Sequence, residues 1–196
     1  MSTVITKIYG DVPLCKQEIF RYAGARADDG AVTELLSSAL SEVREALSYR
    51  VCYIEAELCV YDEICDFGFF KIRSKDLSKN LADCEKAVIF AATVGIGIDR
   101  LITKYSRLSP SRALMLQAIG AERIEAVCDR FYKDIKNEHP SGIRPRYSPG
   151  YGDLPLEVQK DVFKLLEAPK RIGISLNESM LMTPTKSVTA FIGIKK

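Results

Sequence analysis

The stretch 141–153, SGIRPRYSPGYGD, holds three glycines, two prolines, two tyrosines and two arginines. Prolines stiffen such a loop, and glycines let main-chain N–H and C=O groups come close to a ligand. An arginine offers a planar fork for a carboxylate, and a tyrosine offers a ring face for a cation. A molecule that carries a carboxylate, a sulfonium and a heterocyclic edge would use all of these, and S-adenosylmethionine is one. The structural alternative is a rigid surface loop whose arginines pair with neighbouring carboxylates. The other candidates are weaker. Gly95-Ile96-Gly97 follows an apolar run, but Arg100 stands where a dinucleotide fingerprint needs its third glycine, so a tight turn with close backbone packing is expected. The six cysteines include no CxxC pair and read as buried or half-buried thiols. His139, the one histidine, precedes Pro140 in a polar stretch that reads as loop, so no metal site is expected.

The elements that must position this loop follow from periodicity. Val32, Leu35, Leu36, Ala39, Leu40, Val43, Ala46 and Leu47 form one face of a helix over 31–49, with Asp28 or Asp29 as its cap. Cys52, Ile54, Ala56, Leu58 and Val60 alternate with Tyr53, Glu55 and Glu57, which predicts a strand with one dry and one wet face. Residues 67–72 read as the next strand, and Ser74 or Asp76 opens a short helix. The continuous apolar run 86–93, KAVIFAAT, should be the central strand. Ser109-Pro110 starts a helix to about Ile135, a loop spans 139–153, and a helix covers 156–166. Runs 175–182 and 187–194 close the chain as strands. Helices and strands mix without strict alternation, which predicts an α+β fold.

Length and composition set the outer bounds. The 196 residues, 47% hydrophobic and 28% charged, fit one domain over 1–196. Net charge is +2, with −2 on residues 1–132 and +4 on the rest, too weak a bias for nucleic acid. No apolar run approaches the roughly 20 residues of a membrane span, and the polar start MSTVITKIYG is unlike a signal peptide. A cytoplasmic location is expected.

Arg146-Tyr147-Ser148-Pro149-Gly150-Tyr151 resembles the R-x-x-x-G-Y signature of the activation (reactivation) domain of cobalamin-dependent methionine synthase. Leu176-Asn177-Glu178-Ser179 with Met182, Pro184 and Ser187-Val188 is similar to a second stretch of that family. The resemblance covers roughly the last quarter of the chain and looks like the stand-alone form. It implies a bent, mainly antiparallel sheet flanked by helices. It also implies a role: S-adenosylmethionine is presented to cobalamin carried by a methionine synthase partner, and a flavodoxin-like donor supplies one electron. Arg146 would then bind the substrate carboxylate. Ser148, Pro149 and Gly150 would line the adenosyl groove, and Tyr151 would face the reacting centre. Asp11 is the candidate for the family's acidic residue near the domain start, and Glu178 and Ser179 would hold strand geometry. Gly152 and Thr183 depart from the family's usual proline and tryptophan, and the chain ends before the family's last contact strand. The resemblance leaves two alternatives open: service to another corrinoid methyltransferase, or a non-catalytic module that docks on a cobalamin protein or senses S-adenosylmethionine.

Overall fold

The computed structural model describes residues 3–26 and 29–196. The chain begins with β1 (Ile5–Tyr9), α1 (Lys16–Ala23), α2 (Gly30–Val43) and β2 (Tyr49–Glu57). A small meander follows, β3 (Cys59–Tyr61), β4 (Ile64–Asp66) and β5 (Lys71–Arg73), and leads to α3 (Lys75–Asn80). Next come β6 (Cys84–Thr93), α4 (Gly97–Leu108) and the long α5 (Pro110–Glu138). The last part holds α6 (Val158–Leu166), α7 (Ala168–Ile172), the hairpin β7 (Ser175–Leu176) and β8 (Met182–Thr183), and β9 (Ser187–Lys195).

The main sheet runs β1-β2-β6-β9, and every pairing in it is antiparallel. The apolar run KAVIFAAT is the inner strand β6, as its lack of alternation requires. Both faces of this sheet are covered. Val88, Phe90 and Ala92 pack with α1, α2 and α5, while Ala87, Ile89 and Ala91 pack with α3, α6 and α7. The expected wet face of β2 is therefore corrected at one position: Tyr53 is 4% exposed, whereas Glu55 is half-buried and Glu57 exposed. Alternation over residues 51–54 sorts side chains between two cores, and only beyond them between core and water.

Other departures have local causes. The helix expected over 31–49 stops at Val43, because residues 47–49 are needed to enter β2. Asp29 caps it, accepting from the Ala31 and Val32 amides; Asp28 lies outside the described residues. Of the strand expected over 67–72, only Lys71 and Ile72 are strand, at the start of β5; residues 67–70 turn between β4 and β5, with Gly68 at φ +77° and Phe67 N–H on Phe70 C=O. Ser74 caps α3 through the Leu77 amide as expected. The run 175–182 is interrupted, so exposed Glu178 and Ser179 sit in the turn between β7 and β8 and not on a strand. His139 ends α5 rather than lying in open loop, and its Nε2 is 3.1 Å from Glu55 Oε1. Gly95-Ile96-Gly97 is the tight turn: Gly95 has φ +85°, and a Cβ on Gly97 would collide with the Ala46 carbonyl. Among the described residues, no helix is long and apolar enough to cross a membrane.

Candidate functional site

Residues 142–147 are not free loop. Ile143 bridges to Ile194 and Tyr147 to Phe191, with Tyr147 and Phe191 exchanging both main-chain hydrogen bonds at 2.9 Å. The segment thus extends the sheet along part of the outer edge of β9. It then leaves that edge through the turn Ser148-Pro149-Gly150-Tyr151, closed by Tyr151 N–H on Ser148 C=O at 3.2 Å. Proline second and a glycine at φ +91° third are what a type II turn requires. Beyond the turn, Asp153 accepts from Ser74 Oγ (2.5 Å), Lys75 N–H (2.7 Å) and Asp76 N–H (3.1 Å), which pins the loop to the start of α3. The Ser74 bond, ahead of the opposing desolvation and the two amides, holds the Asp153 carboxyl below its ordinary range. Gly152 sits at φ +54°, a backbone angle closed to proline.

Where this segment parts from β9, a cleft of about 490 Å³ opens, lined by Arg146, Tyr147, Ser148, Pro149 and Tyr151 from the loop. Glu125 of α5, Gln159 of α6, Met182, and Ser187 to Thr189 of β9 complete it. Four of the five residues expected to bind or react therefore meet at one cavity together with Tyr147. Gly150 is exposed and lies outside the lining; its part is the turn angle. Pro149 is buried, and Tyr151 is 68% exposed at the surface beside it. Asp11 is exposed and lines neither this cleft nor a larger one of about 710 Å³ between α1 and α5.

Arg146 is held by α5. Its Nη2 donates to Glu125 Oε2 and to Asp129 Oδ1, each at 3.0 Å. Both hydrogen bonds leave from one nitrogen, so the rest of the fork is not spent on carboxylates. Arg144, outside the signature, pairs with Asp83 at 2.6 Å on the surface. The Tyr147 phenol is raised, first by burial and then by the Asp76 and Asp153 charges, and stays protonated at neutral pH. Glu125, Gln159 and Thr189 were not singled out from sequence. Glu125 stands one helical turn before Asp129, and that i, i+4 carboxylate pair was the one available sign of a cation receptor.

Residues 129–196 match the family described as vitamin B12 dependent methionine synthase, activation domain. Over that stretch the chain is similar to this activation domain. The matched stretch begins at Asp129, on the Arg146 carboxylate pair, and runs through the loop, α6 and β9, so it takes in all of the cleft except Glu125. Among solved structures, the crystal structure of the MetH reactivation domain bound to AdoHcy is similar, with a TM-score of 0.65 at 17% identity. The likeness covers 89% of this chain and 69% of that one. The fold of this chain is the activation-domain fold, a mixed arrangement of helices around an antiparallel sheet.

Proposed function

We propose that this protein presents S-adenosylmethionine to cobalamin carried by a methionine synthase partner. S-adenosylmethionine supplies a methyl cation equivalent to cobalt(I), which a flavodoxin-like donor has generated from cobalt(II) with one electron, and S-adenosylhomocysteine is left. The observation that carries this is the convergence of Arg146, Ser148, Pro149 and Tyr151 with Glu125 on one cleft. Its volume lies within the roughly 300–1,000 Å³ usual for small-molecule sites. Arg146 takes the α-carboxylate with the part of its fork that Glu125 and Asp129 leave free. Glu125 offers a negative charge to the ammonium or sulfonium. The proline-stiffened turn fixes these groups before the ligand arrives, so the contribution to rate is positioning. Tyr151 and Leu181, at 68% and 65% exposure, give the surface beside the cleft two apolar side chains that a corrin-bearing partner could cover. This reading places the protein in the cytoplasm, acting as one domain.

A second reading has one observation in its favour: Arg146 is already paired with two carboxylates, as in a loop that needs no ligand. On that reading the protein docks on a cobalamin protein without handling S-adenosylmethionine. One assay separates the two. A partner inactivated to its cobalt(II) form is given this protein, S-adenosylmethionine and an electron donor, and the visible spectrum is followed. Return of the methylcobalamin spectrum with the native protein, and its loss with Arg146→Ala, supports presentation. Recovery that ignores Arg146→Ala refutes the assigned site. Absence of recovery, with no heat on titration of S-adenosylmethionine with or without the partner, leaves docking.

A further inference from the structure

Folding brings the one histidine beside two carboxylates. His139 follows Glu138, the last residue of α5, and its Nε2 stands 3.1 Å from Oε1 of Glu55 on β2, 84 positions earlier. Ligand-capable atoms of Glu55, Glu138 and His139 all lie within 4.8 Å of one another. None of the three lines either cavity, so the cluster is separate from the Arg146 cleft. The sequence predicts no metal site because a lone histidine in open loop offers a single ligand. The end of α5 and the middle of β2 supply the other two.

Three observations mark the cluster as a cation receptor. A cation already stands there: Lys7 Nζ of β1 reaches Glu138 Oε1 at 2.9 Å. Among the described residues, Glu55 pairs with no lysine or arginine, only with the imidazole, so two carboxylates face one ammonium. The cluster also lies at the C-terminal end of a 29-residue helix, where the last carbonyls add partial negative charge. The spacing is the third. A zinc ion bound tetrahedrally by imidazole nitrogen and carboxylate oxygen, at about 2.0–2.2 Å, sets these atoms roughly 3.3–3.4 Å apart. The His139–Glu55 separation of 3.1 Å is close to that. A hydrogen bond has the same spacing, and the second carboxylate is what a hydrogen bond leaves over. Glu138, with a side chain 46% exposed at the helix end, has room to close on the ion.

We propose that Glu55, Glu138 and His139 bind one divalent transition-metal ion, and that Lys7 holds its place when no ion is bound. One imidazole with two carboxylates suits zinc and its neighbours, whereas magnesium and calcium take oxygen ligands. On binding, the imidazole carries its proton on Nδ1 and gives the Nε2 lone pair to the metal. The two carboxylates balance the double charge, and three protein ligands leave a fourth position for water. The Lys7 ammonium leaves Glu138 for the rings of Tyr53 and Phe131, whose centroids are 5.4 and 5.9 Å from it. The bound ion clamps the end of α5 to β2.

The test is titration of zinc(II), and of cobalt(II) for its visible spectrum, into the full chain carrying Cys15→Ser and Cys59→Ser. Those changes keep the two exposed thiols out of the measurement. One ion should bind per chain, and excess magnesium should not displace it. His139→Gln and Glu55→Gln should each weaken binding by more than the roughly 10–100-fold that loss of an outer-shell partner costs. Lys7→Met should instead tighten binding about tenfold, because a nearby positive charge and a rival for Glu138 are both removed. A gain in affinity cannot come from misfolding, and circular dichroism without metal checks the two weakened variants. Absence of a saturable one-to-one site overturns the assignment. Binding unchanged in His139→Gln or Glu55→Gln, or not tightened in Lys7→Met, does the same. The S-adenosylmethionine reading stands or falls apart from all of these outcomes.

Discussion

Replacing Arg123 by methionine tests the account of how the first segment of the chain is held to α5. Arg123 and Glu122 are neighbours on that helix, with side chains 3% and 4% exposed, and their ion pair has contacts of 2.5 and 2.6 Å. Arg123 also donates to the Val12 carbonyl at 2.8 Å and the Pro13 carbonyl at 2.6 Å, and Glu122 accepts from Cys15 N–H at 2.9 Å. The pair is thus a staple between residues 12–15 and the helix. Arg123→Met keeps much of the volume but leaves a buried carboxylate without its cation. Breaking one side of a buried pair costs about 3–5 kcal/mol. For a chain of this length each kcal/mol moves the melting temperature by roughly 2–4 °C, so a fall of about 6–20 °C is expected. Removing both charges, with Glu122→Leu added, should recover part of that loss, because no unpaired charge remains and only main-chain groups lack partners. Urea unfolding with a double-mutant cycle reads both quantities. A single-variant cost below about 1 kcal/mol would refute the staple, being no more than an exposed pair is worth. So would a double variant that loses the sum of the two singles.

Four further outcomes follow from the same structure. Cys15 and Cys59 are exposed, whereas burial first of all pushes Cys52, Cys65 and Cys128 up to about 12 and Cys84 up to about 11. A thiol reagent at neutral pH should therefore titrate two groups quickly and four only on unfolding. Gly97→Ala should cost roughly 1–3 kcal/mol in urea unfolding, since its methyl group meets the backbone carbonyl of Ala46 and not a movable side chain. Asp153 has its carboxyl held down by Ser74 in the folded state, so its contribution is present above the unfolded value near ~3.9 and is lost as pH falls through the lower folded value. Acid unfolding of Asp153→Asn should lack that part of the pH dependence. Arg146→Ala should lower the melting temperature by no more than about 2–4 °C, because its partners Glu125 and Asp129 are 46% and 73% exposed. A larger fall would mean that the site arginine is chiefly structural.

Much of the scaffold was legible in the residues alone. The apolar run 86–93 announced an inner strand, Ser74 announced a helix cap, and Ser148-Pro149-Gly150-Tyr151 carried the chemistry of its own turn. These are local facts, fixed by side-chain pattern, φ preference and a hydrogen bond a few residues away. The partners of the site were not legible. Glu125 lies 21 residues before Arg146, Asp153 finds the start of α3 79 residues back, and Gln159 meets Thr189 only because α6 and β9 border the same edge. Pattern in one segment says which face is buried but not which other segment buries it. The face of β2 that carries Tyr53 illustrates this, since its alternation was the same for a wet side as for a second core. Composition and periodicity thus determined the elements and the stiff turn. The antiparallel register of β9, set by long-range pairing, decided which charges share the cleft.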